Sequence, residues 1–145
     1  MGLCRWTTYG HFTIKKVEAV VKYALSEMPA SKIFLGQNLY GYNCPPPFIQ
    51  GGPNAEALSQ QRAIEIAKRY NAAIQYDTNA QAPFFKYHDV HGKEHIVWFE
   101  DARSVQAKFN LVKRYQLRGV GYWKLGLPFP QNWLLVGLNF NVVKK

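Results

Sequence analysis

Acidic residues are scarce in this chain: 9 Asp and Glu stand against 18 Lys and Arg in 145 residues, a formal net charge of +9. Cysteine is scarcer still. Cys4 and Cys44 form neither a metal-binding pattern nor a disulfide framework, and both are expected as free thiols. No run approaches the roughly 18 uninterrupted apolar residues of a membrane span, and the N-terminus lacks the basic, apolar, small-residue pattern of a secretory signal. No segment repeats at a period of about 20 to 50 residues. These absences exclude a helical membrane protein, a disulfide scaffold and a solenoid.

What is present is apolar content of 48%, enough for one compact domain or one domain carrying an insertion. The charge is uneven. Residues 1–44 carry 5 basic and 2 acidic side chains, 45–98 carry 5 and 5, and 99–145 carry 8 and 2. Basic ends raise the local concentration of anionic partners such as nucleic acid or an acidic wall polymer. No nucleic-acid reading motif accompanies them.

Apolar spacing gives the elements. Thr13 offers an N-cap oxygen, and Ile14, Val17, Val21, Ala24, Leu25 and Met28 recur at three-and-four spacing, which predicts a helix. After Pro29-Ala30-Ser31, the run beginning at Lys32 predicts a strand buried on both faces and reaching Tyr40. Pro45-Pro46-Pro47 and Gly51-Gly52-Pro53 then forbid regular structure. Ser59 can cap a helix with Ile64, Ala67 and Tyr70 inward and a Glu65–Arg69 pair outward. Ala73–Asp77 is a short strand candidate. Phe84–His88 and His95–Phe99 alternate around Asp89-Val90-His91-Gly92, an antiparallel hairpin.

Asp101 or Ser104 can cap the next helix, with Val105, Phe109, Val112 and Tyr115 apolar. Leu117–Trp123 predicts a strand whose Gly119 and Gly121 permit close approach, and a last helix spans about Gln131 to Phe140. The order is helix, strand, inserted α+β element, helix, strand, helix. A closed eight-stranded α/β barrel takes about 250 residues, so this chain is too short to close one alone. Ligands of parallel α/β folds bind at the carboxyl ends of strands, and one such strand ends Gly121-Tyr122-Trp123.

The segments KIFLGQNLYGYN, IQYDTNAQAPFFKYHDVHGKEHIVWFEDARS and LRGVGYWKLGLPFPQNW together resemble the C-terminal part of family 18 glycoside hydrolases, and within them the spore cortex-lytic, peptidoglycan-cleaving branch often linked to LysM modules. The resemblance covers about residues 13 to 143. It implies a C-terminal fragment of a (β/α)8 TIM barrel with a small α+β insertion after strand seven. Residues 1–43 would hold helix six and strand seven, 44–99 the insertion, and 100–145 helix seven, strand eight and helix eight. It also implies a spore, cell-envelope or secreted setting.

The family cleaves N-acetylglucosamine polymers by substrate assistance. A glutamic acid protonates the leaving oxygen while the sugar's acetamido carbonyl attacks the anomeric carbon, outside the usual two-carboxylate scheme. That acid belongs to a D-x-x-D-x-E motif, which this sequence lacks: its aspartates are Asp77, Asp89 and Asp101, and none has the spacing. The family's Met-x-Tyr on strand six aligns with Met1, Gly2 and Leu3, so its tyrosine is missing, and Cys4 falls where an acidic residue is common.

The resemblance implies a sugar platform at Trp123, beneath the subsite next to the cleaved bond, and cleft-lining roles for Tyr40, Tyr42 and Asn43. Asn43 and Cys44 stand where relatives often have Asp and Trp. Glu100 and Asp101, adjacent on an extended segment, point to opposite faces and cannot flank one bond; helix capping is expected of them instead. The neighbours of His11, His88, His91 and His95 lack an acidic or thiolate set with a metal geometry, so no metal site is expected, and no cofactor. The expected function is that of the C-terminal part of a hydrolase of N-acetylglucosamine-containing glycans, peptidoglycan or chitin-like, inactive alone. The alternative is a non-catalytic glycan-binding or self-assembling module. Missing barrel strands would be supplied by a second copy, another chain or an N-terminal half.

Overall fold

A computed structural model describes residues 13–46, 55–124 and 126–143; the aligned Met1–Leu3 triplet, Cys4 and His11 lie outside them. Two sheets share the chain. Strands β1 (Phe34–Asn38) and β7 (Gly119–Trp123) form a parallel pair, in register from Phe34 opposite Gly119 to Asn38 opposite Trp123. Between them in sequence lies a five-stranded antiparallel sheet of order β3-β2-β6-β5-β4. Its strands are β2 (Gly41–Cys44), β3 (Glu56–Leu58), β4 (Gln75–Asp77), β5 (Ala82–His88) and β6 (Glu94–Trp98). The helices are α1 (Ile14–Glu27), α2 (Gln60–Arg69), α3 (Ala102–Arg114) and α4 (Pro130–Asn139). The inserted sheet begins at Gly41, ahead of the expected boundary at residue 44.

The parallel pair is covered on one face only. Ile33, Leu35, Val112 and Leu117 bury together with Val21 of α1, and Leu39 joins Val105, Phe109 and Phe129, with Val120 and Tyr122 of β7 packed against them. The opposite face is open: Phe34 is 57% exposed and Trp123 71%. β1 is therefore not buried on both faces as its apolar run suggested. Side chains alternate across a strand, and helices α1, α3 and α4 supply a layer for one set alone. Open apolar surface continues onto the flanks, at Val20 and Tyr23 of α1 and Leu134 and Leu138 of α4.

The inserted sheet has its own core. Ala63, Ile66 and Ala67 of α2 pack on Leu58, Phe85, Tyr87, Val97 and Phe99. The helix is turned from the expected phase, so Ile64 is 48% exposed, and Glu65 pairs with Arg62 at 3.2 Å rather than with Arg69. Ser59 caps it, its hydroxyl accepting from the Arg62 amide at 3.1 Å. Thr13 occupies the N-cap of α1 without a side-chain bond. Cys44 is fully buried and disulfide-bonded, which corrects the free-thiol expectation; two cysteines with no characteristic spacing carry no pairing signal.

At the hairpin tip Asp89 accepts from the His91 and Lys93 amides at 2.8 and 3.0 Å. These backbone donors, that of Lys93 foremost, hold its carboxyl below the usual aspartate range despite partial desolvation. His95 lies between Asp89 and Asn43, its ring nitrogens 3.2 and 3.1 Å from their oxygens, and stacks on Tyr87.

Candidate functional site

The ends of the two parallel strands converge on a cleft of about 620 Å³. It is lined by Trp123, Lys124 and Leu127 after β7, by Tyr40 and Tyr42, and by Glu56 to Ser59 with Arg62 from β3 and α2. Three of the four residues expected at a sugar site thus meet in one place. Trp123 ends β7 opposite Asn38, its carbonyl accepts from the Leu39 amide at 3.0 Å, and its ring is left open to solvent. Tyr40 and Tyr42 meet edge to face, ring centroids 5.4 Å apart. Burial, reinforced by Tyr40, pushes the Tyr42 hydroxyl up to about 12, so at neutral pH it is a neutral group able to donate and accept hydrogen bonds.

Asn43 does not line this cleft. It is buried in β2, where its amide nitrogen donates to the Tyr87 hydroxyl at 3.0 Å and to Glu56 at 3.3 Å, and its oxygen faces His95. Alternation explains the difference: Tyr42 and Asn43 are neighbours on a strand and point to opposite faces.

The position of Tyr40 depends on residues that sequence reasoning passed over. Asn38 donates to the Tyr40 carbonyl at 2.8 Å. The buried Gln60 amide, in the orientation that satisfies both its ends, donates to the Leu39 carbonyl at 2.7 Å and accepts from the Tyr40 amide at 3.2 Å. The turn that connects the barrel strand to the insertion is thereby fastened to α2. Behind Asn38 lies a buried ion pair. Lys108 donates to Glu100, the two side chains being 3% and 0% exposed, and its ammonium is 3.5 Å from the Asn38 side-chain oxygen. Ser104 donates to the other Glu100 oxygen at 2.6 Å.

Asp101 and Ser104 form a capping box at the start of α3. Capping holds for Asp101, whereas Glu100 is the buried anion of the pair. A polar signal was available for this cluster: Lys108 follows Ser104 by one helical turn on the side that carries Val105 and Val112. Among the described residues no group of three His, Cys, Asp or Glu side chains is placed to hold a metal ion, and no helix is long and apolar enough to cross a membrane.

Residues 6–127 match the model of the glycosyl hydrolases family 18. The chain belongs to that family. Family 18 relatives sharpen the placement. The chain is 62% identical over 132 residues to the cortical fragment-lytic enzyme of Bacillus subtilis, a match that covers 91% of this chain and 31% of that enzyme. The crystal structure of the Bacillus megaterium QM B1551 spore cortex-lytic enzyme SleL superposes with a TM-score of 0.89 at 59% identity, over 92% of this chain and 31% of that one. A chitinase from Chromobacterium violaceum superposes at 0.74 with 32% identity, over 82% of this chain and 36% of that one.

The chain thus spans about a third of the length of the relatives it matches. Its fold is part of the family 18 α/β barrel, a C-terminal fragment carrying helices on one face of two parallel strands and a small α+β insertion between them.

Proposed function

We propose that this chain is the glycan-binding floor of a family 18 site for N-acetylglucosamine-containing glycans, and that the general acid comes from sequence it does not contain. The observation that carries this reading is the meeting of Trp123, Tyr40 and Tyr42 in one cleft at the carboxyl ends of β1 and β7. An exposed indole face suits the C–H surface of a pyranose, and the neutral phenols suit its hydroxyl and acetamido groups. Relatives named for lysis of spore cortex and its fragments favour peptidoglycan over chitin as the glycan.

Without a D-x-x-D-x-E segment the family's acid has no counterpart in this sequence, and general acid catalysis has no donor in the expected place. The chain alone therefore leaves a chromogenic N-acetylglucosaminide uncleaved above the buffer rate. N-acetylglucosamine oligomers bind and quench tryptophan fluorescence, and Trp123→Ala weakens them about tenfold, the loss of one aromatic platform. Turnover that disappears in the Trp123→Ala protein would count against the absence of a catalyst, and unchanged binding in that variant would count against the floor.

The open face favours a second reading, a module that assembles with itself. Phe34, Val20, Tyr23, Leu134 and Leu138 leave large apolar side chains in water on the uncovered side and flanks, and parallel sheets normally bury both faces. Light scattering on the purified chain separates the two readings. A concentration-dependent mass above 16.7 kDa supports self-assembly. A monomer supports completion by the remaining barrel units.

A further inference from the structure

We propose that the cleft selects glycans bearing carboxylates over neutral N-acetylglucosamine polymers, with Arg62 and Lys124 as the recognising cations. The inference rests on the glycan-floor reading and extends it to the charge of the glycan. Arg62 comes from α2 in the insertion and Lys124 from the residue after β7, so the two enter the same cleft from separate parts of the fold, beside the aromatic side chains.

A neutral chitin-like chain gives these cations no counter-ion. A glycan with a carboxylate gives both one, and a guanidinium matches a carboxylate with paired donors. Glu56 is the one carboxylate among the lining residues, and the Asn43 amide already donates to it at 3.3 Å. Among the described lining residues, two cations against one carboxylate leave the cleft positive. Arg62 also touches Glu65, outside the lining, at 3.2 Å, but both side chains are more than half exposed. Such a solvated pair contributes little and yields readily to a ligand.

The carboxylate has two chemical sources, the sugar's own acidic side arm or the end of an attached peptide. Calorimetric titration with three probes separates them: a neutral N-acetylglucosamine tetramer, a peptide-free glycan of alternating N-acetylglucosamine and N-acetylmuramic acid, and the same glycan carrying a short peptide. At low salt a charged glycan is expected to bind about tenfold more tightly than the neutral one, as charge-assisted hydrogen bonds would give. The ratio should shrink as salt is raised.

In Arg62→Gln and in Lys124→Gln that ratio falls towards one, and Arg62→Lys restores part of it. Tight binding of the peptide-free glycan assigns the carboxylate to the sugar; preference for the peptide-bearing glycan alone assigns it to the peptide. Equal affinity for neutral and charged probes, or a ratio untouched by both glutamine variants, overturns the inference while leaving the floor intact. Failure of all three probes to bind the unaltered protein overturns the floor reading, and this inference with it.

Discussion

Lys108→Ala destabilises the chain by about 3 to 5 kcal/mol, the cost of leaving a buried charge without its partner. Glu100 has no exposed side-chain surface, and Ser104 supplies one neutral donor in place of an ammonium. Water cannot compensate without opening the contact between α3 and the parallel strands. The double variant Glu100→Leu/Lys108→Met removes both charges at similar volume and recovers most of the loss, because a buried pair is often no better than well-packed apolar groups. Urea denaturation of the three proteins checks this. A Lys108→Ala loss below about 1 kcal/mol would mean that the pair is solvated, at odds with its burial.

The pair also reaches the cleft. Lys108 meets Asn38, and Asn38 holds the Tyr40 carbonyl. In the recovered double variant Asn38 keeps its bond to Tyr40 but loses the cation behind it. Glycan affinity measured on that folded protein then separates stability from positioning. A stable variant with weakened binding assigns Lys108 a part in setting Tyr40.

Much of this arrangement was legible because it follows from period and order. The three-and-four spacing in α1 and α3, the hairpin around Asp89, and the β1 and β7 runs on either side of a differently patterned middle gave two pieces of parallel α/β with an α+β insertion. Trp123 and the two tyrosines could be read as strand-end residues, and they do share a cleft. Asn43 misled because a four-residue strand after a turn carries no mark of which sheet it joins; pairing of β2 with β3 and β6 put its odd and even residues on different faces.

Gln60 and Lys108 were hidden for another reason. Polar residues on a helix read as solvent-facing unless their partners are known, and those partners lie far away in sequence. Phe34 shows the reverse. Its apolar run promised burial, but burial of that face needs neighbours that the described residues do not supply.

Gly41→Ala should be the most disruptive glycine-to-alanine change among the described glycines, and it tests how the cleft is built. A Cβ at this position would lie 2.4 Å from the Trp98 carbonyl oxygen and 2.7 Å from the Phe99 Cβ. The first of these is backbone, so no side-chain rotation relieves it. Gly41 is opposite Leu58 in β2 and immediately follows Tyr40, so relief must come from moving β2 away from β6 or the Tyr40 turn away from α2. The first breaks the sheet pairing of Tyr42 with Trp98; the second breaks the Gln60 bonds to Leu39 and Tyr40.

Overpacking of this kind costs about 1 to 3 kcal/mol, and more where backbone must shift. Either movement also separates Tyr40 and Tyr42 from Trp123, so glycan binding should fall along with stability. Denaturation gives the first quantity and fluorescence titration of the folded fraction the second. A Gly41→Ala protein that is destabilised yet binds glycan normally would show that the aromatic floor does not depend on the close approach of β2 to β6, and that Trp123 holds the sugar without its tyrosine neighbours.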